Sequence, residues 1–436
     1  MIQLTDDQSK ALQEILATTA SRHLLTGYAG TGKTTLMQAV AREFSASGKR
    51  VVLTAPTHKA VRVLADKLEQ AGIELPTMTI HSLLGLKVSG EGERSALKRG
   101  GQSLAKRFDI VIIDECSMVG ADLQGFIDHD LAQHFVLYVG DPAQLPPVGE
   151  VAAKCFSTES RSELSTIVRQ EADNPILAAA TTIRQSDPQA IDWSWCELAE
   201  NGPKGVFPAG DDADDWMQDA FTSDDFRKDN DTFRYLCYTN ARVSEVNRKV
   251  RSWIYGETET PFIVGERVIC RTPIQAPGSG SAFTTNEEVI VSSISDDIKT
   301  IHFREHQATS KASALNAWSF DLPVWKIGLQ HSTHNEVTCI IPKHDAVFDA
   351  INKKLISEAK LNSGRWYERF QLKEEISKLQ HVFAMTIHTS QGSTFRNVFL
   401  DVSDVRKLEY SKPKEMLQML YVAATRPTHA LVLVRP

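Results

Sequence analysis

The chain has 436 residues and a formal net charge of −7, with 42% hydrophobic and 24% charged residues. This composition is typical of a globular protein of about two to four domains, and no apolar run is long enough to span a membrane. The first ten residues lack a signal-peptide pattern, so we expect a cytoplasmic protein of a bacterial or phage-infected cell. The six cysteines form no C-x-x-C pair, which argues against structural zinc and a disulfide framework.

The negative charge is concentrated in one segment. Residues 187–231 contain 13 acidic and three basic residues, so the remainder of the chain is slightly positive. A small basic segment, Lys87 to Arg107, contains six Lys or Arg and two Glu. It is either a solvated loop or hairpin, or a nucleic-acid contact.

Residues 27–34 read G-Y-A-G-T-G-K-T, between a predicted strand at 23–26 and a predicted helix at 34–46. This pattern and context are typical of a loop that binds a polyphosphate. The glycines allow backbone N–H groups to turn inward, the lysine adds a charge at the β- and γ-phosphates, and Thr34 offers a hydroxyl to Mg²⁺. The alternative is a glycine-rich turn that only caps a helix.

A second part of a nucleotide site follows. Asp109 to Ile113 reads as a buried parallel strand, and it ends in Asp114 and Glu115. Asp114 is predicted to hold Mg²⁺ and Glu115 to orient and deprotonate water, although such a pair also ends many ordinary strands.

Alternating strand and helix patterns continue to about residue 185. Further strands are predicted at 51–55, 110–113 and 135–139, with a helix at 59–71, which together indicate one parallel sheet covered by helices. A second α/β pattern comprises a strand at 233–238, a helix at 244–253, and strands at 381–386, 398–401 and 431–434.

The intervening region has a different pattern. Short strands are predicted at 263–271, 288–294, 300–304, 318–328 and 337–341, with Gly, Pro and Ser between them. This pattern indicates a small β-barrel inserted into the second α/β domain.

Together with the phosphate loop, seven segments resemble, in chain order, motifs Ia, Ib, II, III, IV, V and VI of the superfamily 1 helicases. They are Thr54–Ala60, Thr79–Leu84, Asp114–Met118, Gly140–Pro147, Arg169, Thr386–Ser393 and Leu420–Arg426. The match extends over nearly the whole chain and is most similar to the RecD/Dda branch.

The resemblance implies an α/β fold with two RecA-like P-loop domains, an inserted SH3-like β-barrel and a small β-hairpin called the pin. RecA-like domain 1 is expected at 1–185 with the pin at about 86–107, and domain 2 at 186–256 and 380–436. The barrel, with a helical and aromatic extension, is expected at 257–379.

The resemblance also implies that ATP and Mg²⁺ are bound between the RecA-like domains. It assigns catalysis to Lys33, Glu115, Gln144, Arg169 and Arg426, and the metal to Thr34 and Asp114. The predicted nucleotide contacts are Gln8, Gly27, Gly30, Thr31, Gly32, Lys33, Thr34, Thr35 and Gly392. Thr5 to Gln8 also forms a capping-box pattern, so Gln8 has a structural alternative that is compatible with nucleotide contact. Each arginine has the alternative of a surface ion pair.

The predicted DNA contacts are Pro56, Thr57, His58, Thr79, His81, Ser82, Leu97, Trp366, Thr386, His388, Thr389 and Ser390. Hydroxyls and backbone amides suit phosphate oxygens, and imidazoles stack on bases. Each histidine could instead fill space, and Trp366 with Tyr367 could instead hold the barrel against the second domain.

The pin region departs from its relatives, because Leu86 to Arg107 contains no Phe, Tyr or Trp where related enzymes carry an aromatic wedge. Leu97 is the best apolar candidate for the tip, and the alternative is that it belongs to the folded core.

We therefore expect a monomeric, ATP-dependent DNA helicase that moves 5′ to 3′ on single-stranded DNA and opens tailed or forked duplexes. A single-stranded DNA-binding, replication or recombination protein is a potential partner. Three alternatives remain, namely a translocase or protein-displacing motor, a RecD-like subunit of a recombination complex, and a nucleotide-regulated binding module without turnover.

Overall fold

The computed structural model describes residues 4–89, 96–147, 149–167, 174–202, 204–275, 281–309, 312–331 and 334–435. The chain divides into two compact units, of which the first comprises residues 1–246 and 384–436 and the second residues 247–383. No helix among the described residues is both long and apolar enough to cross a membrane.

The first unit begins with a six-stranded parallel sheet. Its elements are α1 (Asp6–Ala17), β1 (Arg22–Gly27), α2 (Lys33–Ala46), β2 (Val51–Ala55), α3 (His58–Gln70), β3 (Thr77–Thr79), α4 (Ile80–Leu83), a separate hairpin of β4 (Leu86–Ser89) and β5 (Ala96–Arg99), β6 (Ile110–Ile113), α5 (Ala121–Asp130), β7 (Phe135–Gly140), β8 (Arg161–Leu164) and α6 (Pro175–Gln185). The strand order is β3-β2-β6-β7-β1-β8, and every pair is parallel. The strands predicted at 23–26, 51–55, 110–113 and 135–139 are confirmed.

This sheet is buried on both faces. Along β6, Ile110 and Ile112 belong to one apolar cluster, whereas Val111 and Ile113 belong to another. Successive side chains of a strand point to opposite faces, so a continuous apolar run fits a strand that is covered on both sides. Helices α1, α2 and α3 contribute to the first cluster, and α4 and α5 to the second.

The chain then starts a second sheet with β9 (Ala199–Asn201), β10 (Lys204–Gly210), α7 (Ala213–Thr222), α8 (Asp224–Lys228), β11 (Phe233–Cys237) and α9 (Asn240–Tyr255).

The second unit contains β12 (Arg267–Cys270), β13 (Ile274–Gln275), β14 (Ser281–Phe283), β15 (Glu288–Phe303), β16 (Trp318–His331), β17 (His334–Pro342), α10 (Asp345–Leu361), α11 (Gly364–Glu375) and β18 (Leu379–His381). Five of its strands form an antiparallel sheet in the order β17-β16-β15-β12-β18. The prediction of two strands at 288–294 and 300–304 was wrong, because β15 runs through both. Asp296 and Asp297, which resemble turn residues, form ion pairs with Lys343 and Lys326 at 2.5 and 2.6 Å.

The chain completes the second sheet of the first unit with β19 (Ala384–Thr386), β20 (Phe395–Asp401), α12 (Val402–Val405), α13 (Pro413–Ala424) and β21 (Pro427–Val434). The strand order is β19-β11-β20-β21-β10-β9, with only the β9–β10 pair antiparallel among the described strands. The single strand predicted at 381–386 is corrected to two strands. His381 pairs with β12 of the second unit, whereas Ala384 begins the pairing with β11.

Candidate ATP and DNA sites

The loop after β1 has the backbone shape of a phosphate cradle. Gly30 and Gly32 have φ of +79° and +76°, in the left-handed region that favours glycine. A Cβ at Gly27 would lie 2.6 Å from the Thr31 hydroxyl oxygen, so a larger residue would disturb the loop. Helix α2 begins at Lys33, and its N-cap forms no side-chain cap hydrogen bond. The first amides of α2 are therefore available to an anion.

Lys33 is held against this loop by the loop's own carbonyls. Its Nζ donates to the carbonyl oxygens of Gly27 at 2.6 Å and Tyr28 at 3.1 Å. Thr34 and Thr35 follow in the first turn of α2 and are half-buried. The ammonium therefore already lies at the cradle, where a phosphate would compete with two neutral carbonyls for it.

Gln8 supports the same loop from helix α1. Its Nε2 donates to the carbonyl oxygens of Thr31 at 3.1 Å and Gly32 at 3.4 Å, while its Oε1 accepts from the backbone N–H of Thr5 at 3.0 Å. The Thr5 hydroxyl in turn accepts from the Gln8 N–H, which completes the capping box. The structural role of Gln8 is thus present, and its contact with a nucleotide stays a prediction.

Asp114 and Glu115 follow the carboxyl end of β6 in a strained arrangement. Glu115 has a φ of +52°, a conformation that costs a residue with a side chain about 1–2 kcal/mol. Its N–H donates to the Asp114 carboxylate at 2.9 Å. Strain of this kind persists where the surrounding structure enforces it, and it is common at functional sites. Here it lets two consecutive carboxylates leave one strand end in different directions.

The site has the donor chemistry for Mg²⁺. Burial, followed by the charge of Glu115, raises the pKa of Asp114 to about 6, so a nearby cation would stabilise its charged form. No cluster of three acidic, His or Cys ligands occurs among the described residues.

Gln144, in the loop after β7, is buried with one unused acceptor. Its Oε1 has no hydrogen-bond partner among the described residues, although the side chain is only 8% exposed. Buried amide oxygens almost always have a partner, so an orphaned one suggests a missing ligand or water. The backbone carbonyl of Gln144 accepts from Gln418 Nε2 at 3.2 Å.

Arg426 follows the end of α13 by two residues, and its side chain is buried. It donates to the carbonyl oxygens of Val422 and Ser393 at 3.0 and 3.1 Å and to the Thr425 hydroxyl at 2.9 Å. Burial lowers its pKa, and the negative charge of Glu115 raises it. The second sheet therefore brings a cation close to the carboxylates of the first. Arg169, the other predicted arginine, lies outside the described residues.

Two further side chains and one glycine lie where the two sheets meet. The Tyr421 hydroxyl donates to Asp141 Oδ2 at 2.5 Å and accepts from the Ala29 N–H at 3.0 Å. Gln391 Nε2 donates to the Leu145 carbonyl at 3.2 Å. Gly392 has a φ of +69°, and a Cβ there would lie 3.0 Å from that of Ala60 in α3. This supports a packing role for Gly392, and its nucleotide contact stays a prediction.

Threonines cap the turn that follows three of the parallel strands. After β2, Thr57 Oγ1 accepts from the Ala60 N–H at 3.2 Å, and after β3, Thr79 Oγ1 accepts from the Ser82 N–H at 3.1 Å. After β19, Thr386 Oγ1 accepts from the Thr389 N–H at 3.3 Å. Each hydroxyl thus stabilises a backbone turn at a carboxyl strand end, where its hydrogen can still be donated to a ligand.

The predicted histidines lie near these turns. His81 is close enough to His58 for that neighbour to lower its pKa, after the larger effect of burial, while a hydrogen bond with the backbone of Pro56 raises it. Burial also lowers the pKa of His388. Ser390 is buried and donates to the Ile387 carbonyl at 2.8 Å. The structure thus brings Pro56, His58 and His81 together and gives Ser390 a local backbone partner.

The basic segment forms the hairpin β4–β5. Leu97 pairs with Val88 and packs, half-buried, against an apolar cluster of the first sheet. The expectation that Leu97 forms the tip is thus corrected, because residues 90–95 connect the strands and lie outside the described residues. On the exposed surface, Lys87 lies directly opposite Lys98. Like charges in such a pair are destabilising, and an anion would relieve the repulsion.

Trp366 belongs to the second unit. It lies on α11 with 42% of its surface exposed, and the Arg369 guanidinium lies 5.5 Å from its ring centre. The neighbouring Tyr367 is also exposed. An exposed ring beside an arginine is suited to stacking on a base, and DNA contact by Trp366 stays a prediction.

Comparisons with known proteins identify the family. Residues 3–196 match the model of an AAA domain, and residues 381–434 match that of a UvrD-like helicase C-terminal domain. The chain is 27% identical to the ATP-dependent DNA helicase dda of Enterobacteria phage T4 over 97% of both proteins. It is 32% identical to the ATP-dependent RecD2 DNA helicase of Deinococcus radiodurans over 46% of this chain and 27% of that protein. The chain belongs to the superfamily 1 helicases.

The fold comparison agrees with this assignment. The structure of Bacteroides Pif1 bound to single-stranded DNA aligns with a TM-score of 0.51 and 19% identity, over 99% of this chain and 92% of that one. At this identity the likeness supports the fold, namely an α/β helicase with two RecA-like parallel sheets.

Sequence analysis of this helicase missed several site residues. Tyr421 and Asp141 lie within the quoted motifs, but no local pattern shows that their side chains meet across 280 residues. Gln391 was missed for the same reason, because its partner Leu145 is 246 residues away. The strain at Glu115 also has no sequence signal, because a glycine or asparagine would be the usual residue at a positive φ.

Glu115→Gly is predicted to stabilise the helicase while abolishing ATP hydrolysis. Glycine relieves the strain at φ +52° and removes the charge beside Asp114, which outweighs its greater freedom in the unfolded chain. We expect a free energy of unfolding about 1 kcal/mol higher in urea titrations. Glu115→Gln, which keeps the strain, serves as the control. A glycine variant less stable than wild type would show that Glu115 is not strained.

Proposed function

We propose that this helicase binds Mg·ATP between its two RecA-like sheets, moves 5′ to 3′ along single-stranded DNA and separates the duplex ahead of it. The chain is an ATP-dependent DNA helicase of the Dda/RecD/Pif1 type. The observation that carries the mechanism is that α13, which packs with the second sheet and precedes Arg426, forms hydrogen bonds to the nucleotide-site loops of the first sheet through Tyr421 and Gln418. A site built from both sheets can couple a change in the nucleotide to relative motion of the sheets.

The chemistry assigned to the site is positioning and charge stabilisation. Lys33 binds the β- and γ-phosphates, and the first amides of α2 face them. Glu115 accepts a proton from the attacking water, which the unpartnered Gln144 Oε1 helps to orient. Arg426 and Arg169 neutralise charge that develops on the γ-phosphate. Thr34 and Asp114 would hold Mg²⁺, which shields the phosphate oxygens when bound.

The DNA path is assigned to the capped turns of the first unit. Thr57, Thr79 and Thr386 offer hydroxyls for phosphate oxygens, while His58 and His81 offer rings for bases. Pro56, Ser82, His388, Thr389 and Ser390 line the same turns. Because phosphate and sugar contacts carry little base identity, the helicase is expected to move along DNA of any sequence.

The second unit and the hairpin are assigned to handling the duplex. We assign RecA-like domain 1 to 1–185, domain 2 to 186–256 and 380–436, and an SH3-like barrel with its helical extension to 257–379. The β4–β5 hairpin is the pin that divides the strands. The opposed Lys87 and Lys98 support this role, because a phosphate would relieve their repulsion.

Matched duplexes with a single-stranded tail test the function and its direction. Unwinding from a 5′ tail in the presence of ATP and Mg²⁺, with little from a 3′ tail, is the predicted result. Preferential unwinding from a 3′ tail would contradict the proposed direction. ATP-dependent movement without strand separation would instead indicate a translocase or protein-displacing motor, and activity only in a purified complex would indicate a RecD-like subunit.

Lys33→Ala and Glu115→Gln are predicted to separate ATP binding from hydrolysis. Loss of the ammonium should weaken nucleotide binding and turnover together, because Lys33 lies on the phosphate cradle. Glu115→Gln should bind ATP with near wild-type affinity while kcat falls about 100-fold or more, the usual effect of losing a general base. Fluorescent-nucleotide titration and steady-state hydrolysis measure the two properties. Hydrolysis within about threefold of wild type would remove Glu115 from the base role.

Lys87→Ser/Lys98→Ser is predicted to reduce unwinding more than DNA-stimulated ATP hydrolysis. Both side chains are exposed on the hairpin, so the motor should stay intact while the contact with the duplex weakens. We expect unwinding to fall about fivefold or more at moderate salt, and hydrolysis by less than twofold. The control Lys154→Ser/Arg161→Ser removes two exposed charges elsewhere on the first unit. Equal loss of both activities would place the lysines outside the strand-separating step.

A further inference from the structure

A buried hydroxyl connects the two sheets at the phosphate-binding loop. Tyr421 is only 2% exposed. Its hydroxyl donates to Asp141 Oδ2 at 2.5 Å and accepts from the Ala29 N–H at 3.0 Å. Ala29 lies in the loop after β1 and Asp141 in the loop after β7, which are neighbouring strands. One side chain of α13 therefore contacts two adjacent loops of the nucleotide site.

The arginine near this site, Arg426, follows the last residue of the same helix by two positions. Arg426 follows Tyr421 by five residues, and its Nε donates to the Val422 carbonyl at 3.0 Å. Another residue of α13, Gln418, donates to the Gln144 backbone at 3.2 Å. Because the hydrogen bond of Arg426 ties it to the last turn of α13, the bonds that Tyr421 and Gln418 make from the helix help to set the position of the guanidinium.

We propose that Tyr421 is a positioning residue for ATP hydrolysis, which uses its hydroxyl to hold α13 against the phosphate loop and Asp141 and thereby places Arg426. This inference rests on the proposed function. It assigns to the Tyr421 hydroxyl a role that the motif pattern alone does not indicate. The role assigned to Tyr421 includes no contact with the γ-phosphate or the attacking water. Its two bonds are directional, so loss of one oxygen should release the helix while leaving the ring packed in place.

The electrostatics of Asp141 agree with this role. Burial raises the pKa of Asp141, while the charge of Lys33 and the hydrogen bond from Tyr421 lower it. The hydroxyl therefore helps to keep the carboxylate ionised inside the protein. An ionised acceptor also makes this hydrogen bond stronger than one between neutral groups.

The alternative is that the hydrogen bonds of Tyr421 restrain the phosphate loop. Because the Tyr421 oxygen occupies the Ala29 N–H, the contact could instead hold the loop away from its phosphate-binding state. The two readings predict opposite effects. Removing a positioning contact lowers the maximal rate of hydrolysis, whereas removing a restraint raises hydrolysis in the absence of DNA.

Tyr421→Phe tests the proposal. We expect kcat for DNA-stimulated hydrolysis to fall about tenfold, with KM for ATP within about threefold of wild type, since the groups that bind the phosphates are unchanged. Tyr138→Phe is the matched control, because that buried hydroxyl on β7 of the first sheet accepts a 2.8 Å hydrogen bond from Gln124 on α5. The control variant should lose stability to a similar extent and keep its kcat.

Asp141→Asn provides an independent variant, because it replaces the accepting oxygen by an amide donor. If both residues act through one hydrogen bond, the double variant should have a kcat within about twofold of the slower single variant. Additive losses, an unchanged kcat in Tyr421→Phe, a change confined to KM, or a rise in DNA-independent hydrolysis would each overturn the positioning role. Wild-type protein without DNA-stimulated hydrolysis would instead refute the proposed function itself.

Discussion

The arrangement of this helicase depends on one geometric constraint, namely that parallel strands end at the same edge of their sheet. In the order β2-β6-β7-β1, Thr54 pairs with Ile113, Ile113 with Tyr138 and Thr26 with Gly140. The phosphate loop, the two carboxylates and the loop of Gln144 start within a few residues of these paired positions. Segments more than 100 residues apart in sequence therefore meet because their strands are adjacent. The backbone topology alone is sufficient for this, without any contact between side chains.

The charges at this edge are mutually dependent because they are buried. Burial raises the pKa of Asp114 and of Asp141 and lowers that of Arg426, so each group alone would tend towards its neutral form. The positive charge of Lys33 partly offsets the effect of burial on the two aspartates, and the negative charge of Glu115 partly offsets it on Arg426, whereas Glu115 raises the pKa of both aspartates further. A nucleotide adds negative phosphates and a divalent cation adds positive charge. Binding therefore rebalances an existing set of desolvated charges, in which electrostatic effects are stronger than in water.

Local sequence patterns predicted the parts of the fold that depend on local physics. The strands of the first sheet were found because fully buried strands have continuous apolar runs, and the phosphate loop because its glycines adopt a positive φ. The failures concern pairing and long-range contact. Asp296 and Asp297 have a turn-like composition, but they pair with Trp325 and Val324 of β16 within a continuous β15. Their carboxylates form ion pairs with Lys343 and Lys326. Leu97 was expected at a tip because it is apolar among basic residues, whereas alternation along β5 turns it towards the core.

The site shows the same division. Lys33, Asp114, Glu115 and Arg426 occupy positions that motif spacing indicates, because each lies a fixed number of residues from a strand or helix end. The contacts of Tyr421 and Gln391 depend instead on how two sheets meet, which no local pattern contains. Gln8 combines a role that local sequence predicts with contacts that it does not. Its capping box follows from sequence alone, but its bonds to the phosphate loop connect residues 23 and 24 positions apart.

The capped turns allow one residue type to serve the fold and also to make the DNA contacts proposed above. A threonine hydroxyl has two acceptor lone pairs and one donor, and Thr57 uses one lone pair to accept from the Ala60 N–H. Its hydrogen can therefore be donated to a phosphate oxygen without breaking the cap. The hydroxyls of Thr386 and Thr389 lie 2.9 Å apart, so one of them can donate to the other while the second donates outward. Binding a phosphate would then redirect a hydroxyl hydrogen rather than unfold a turn, and such contacts can form and break repeatedly at low energetic cost as the helicase advances.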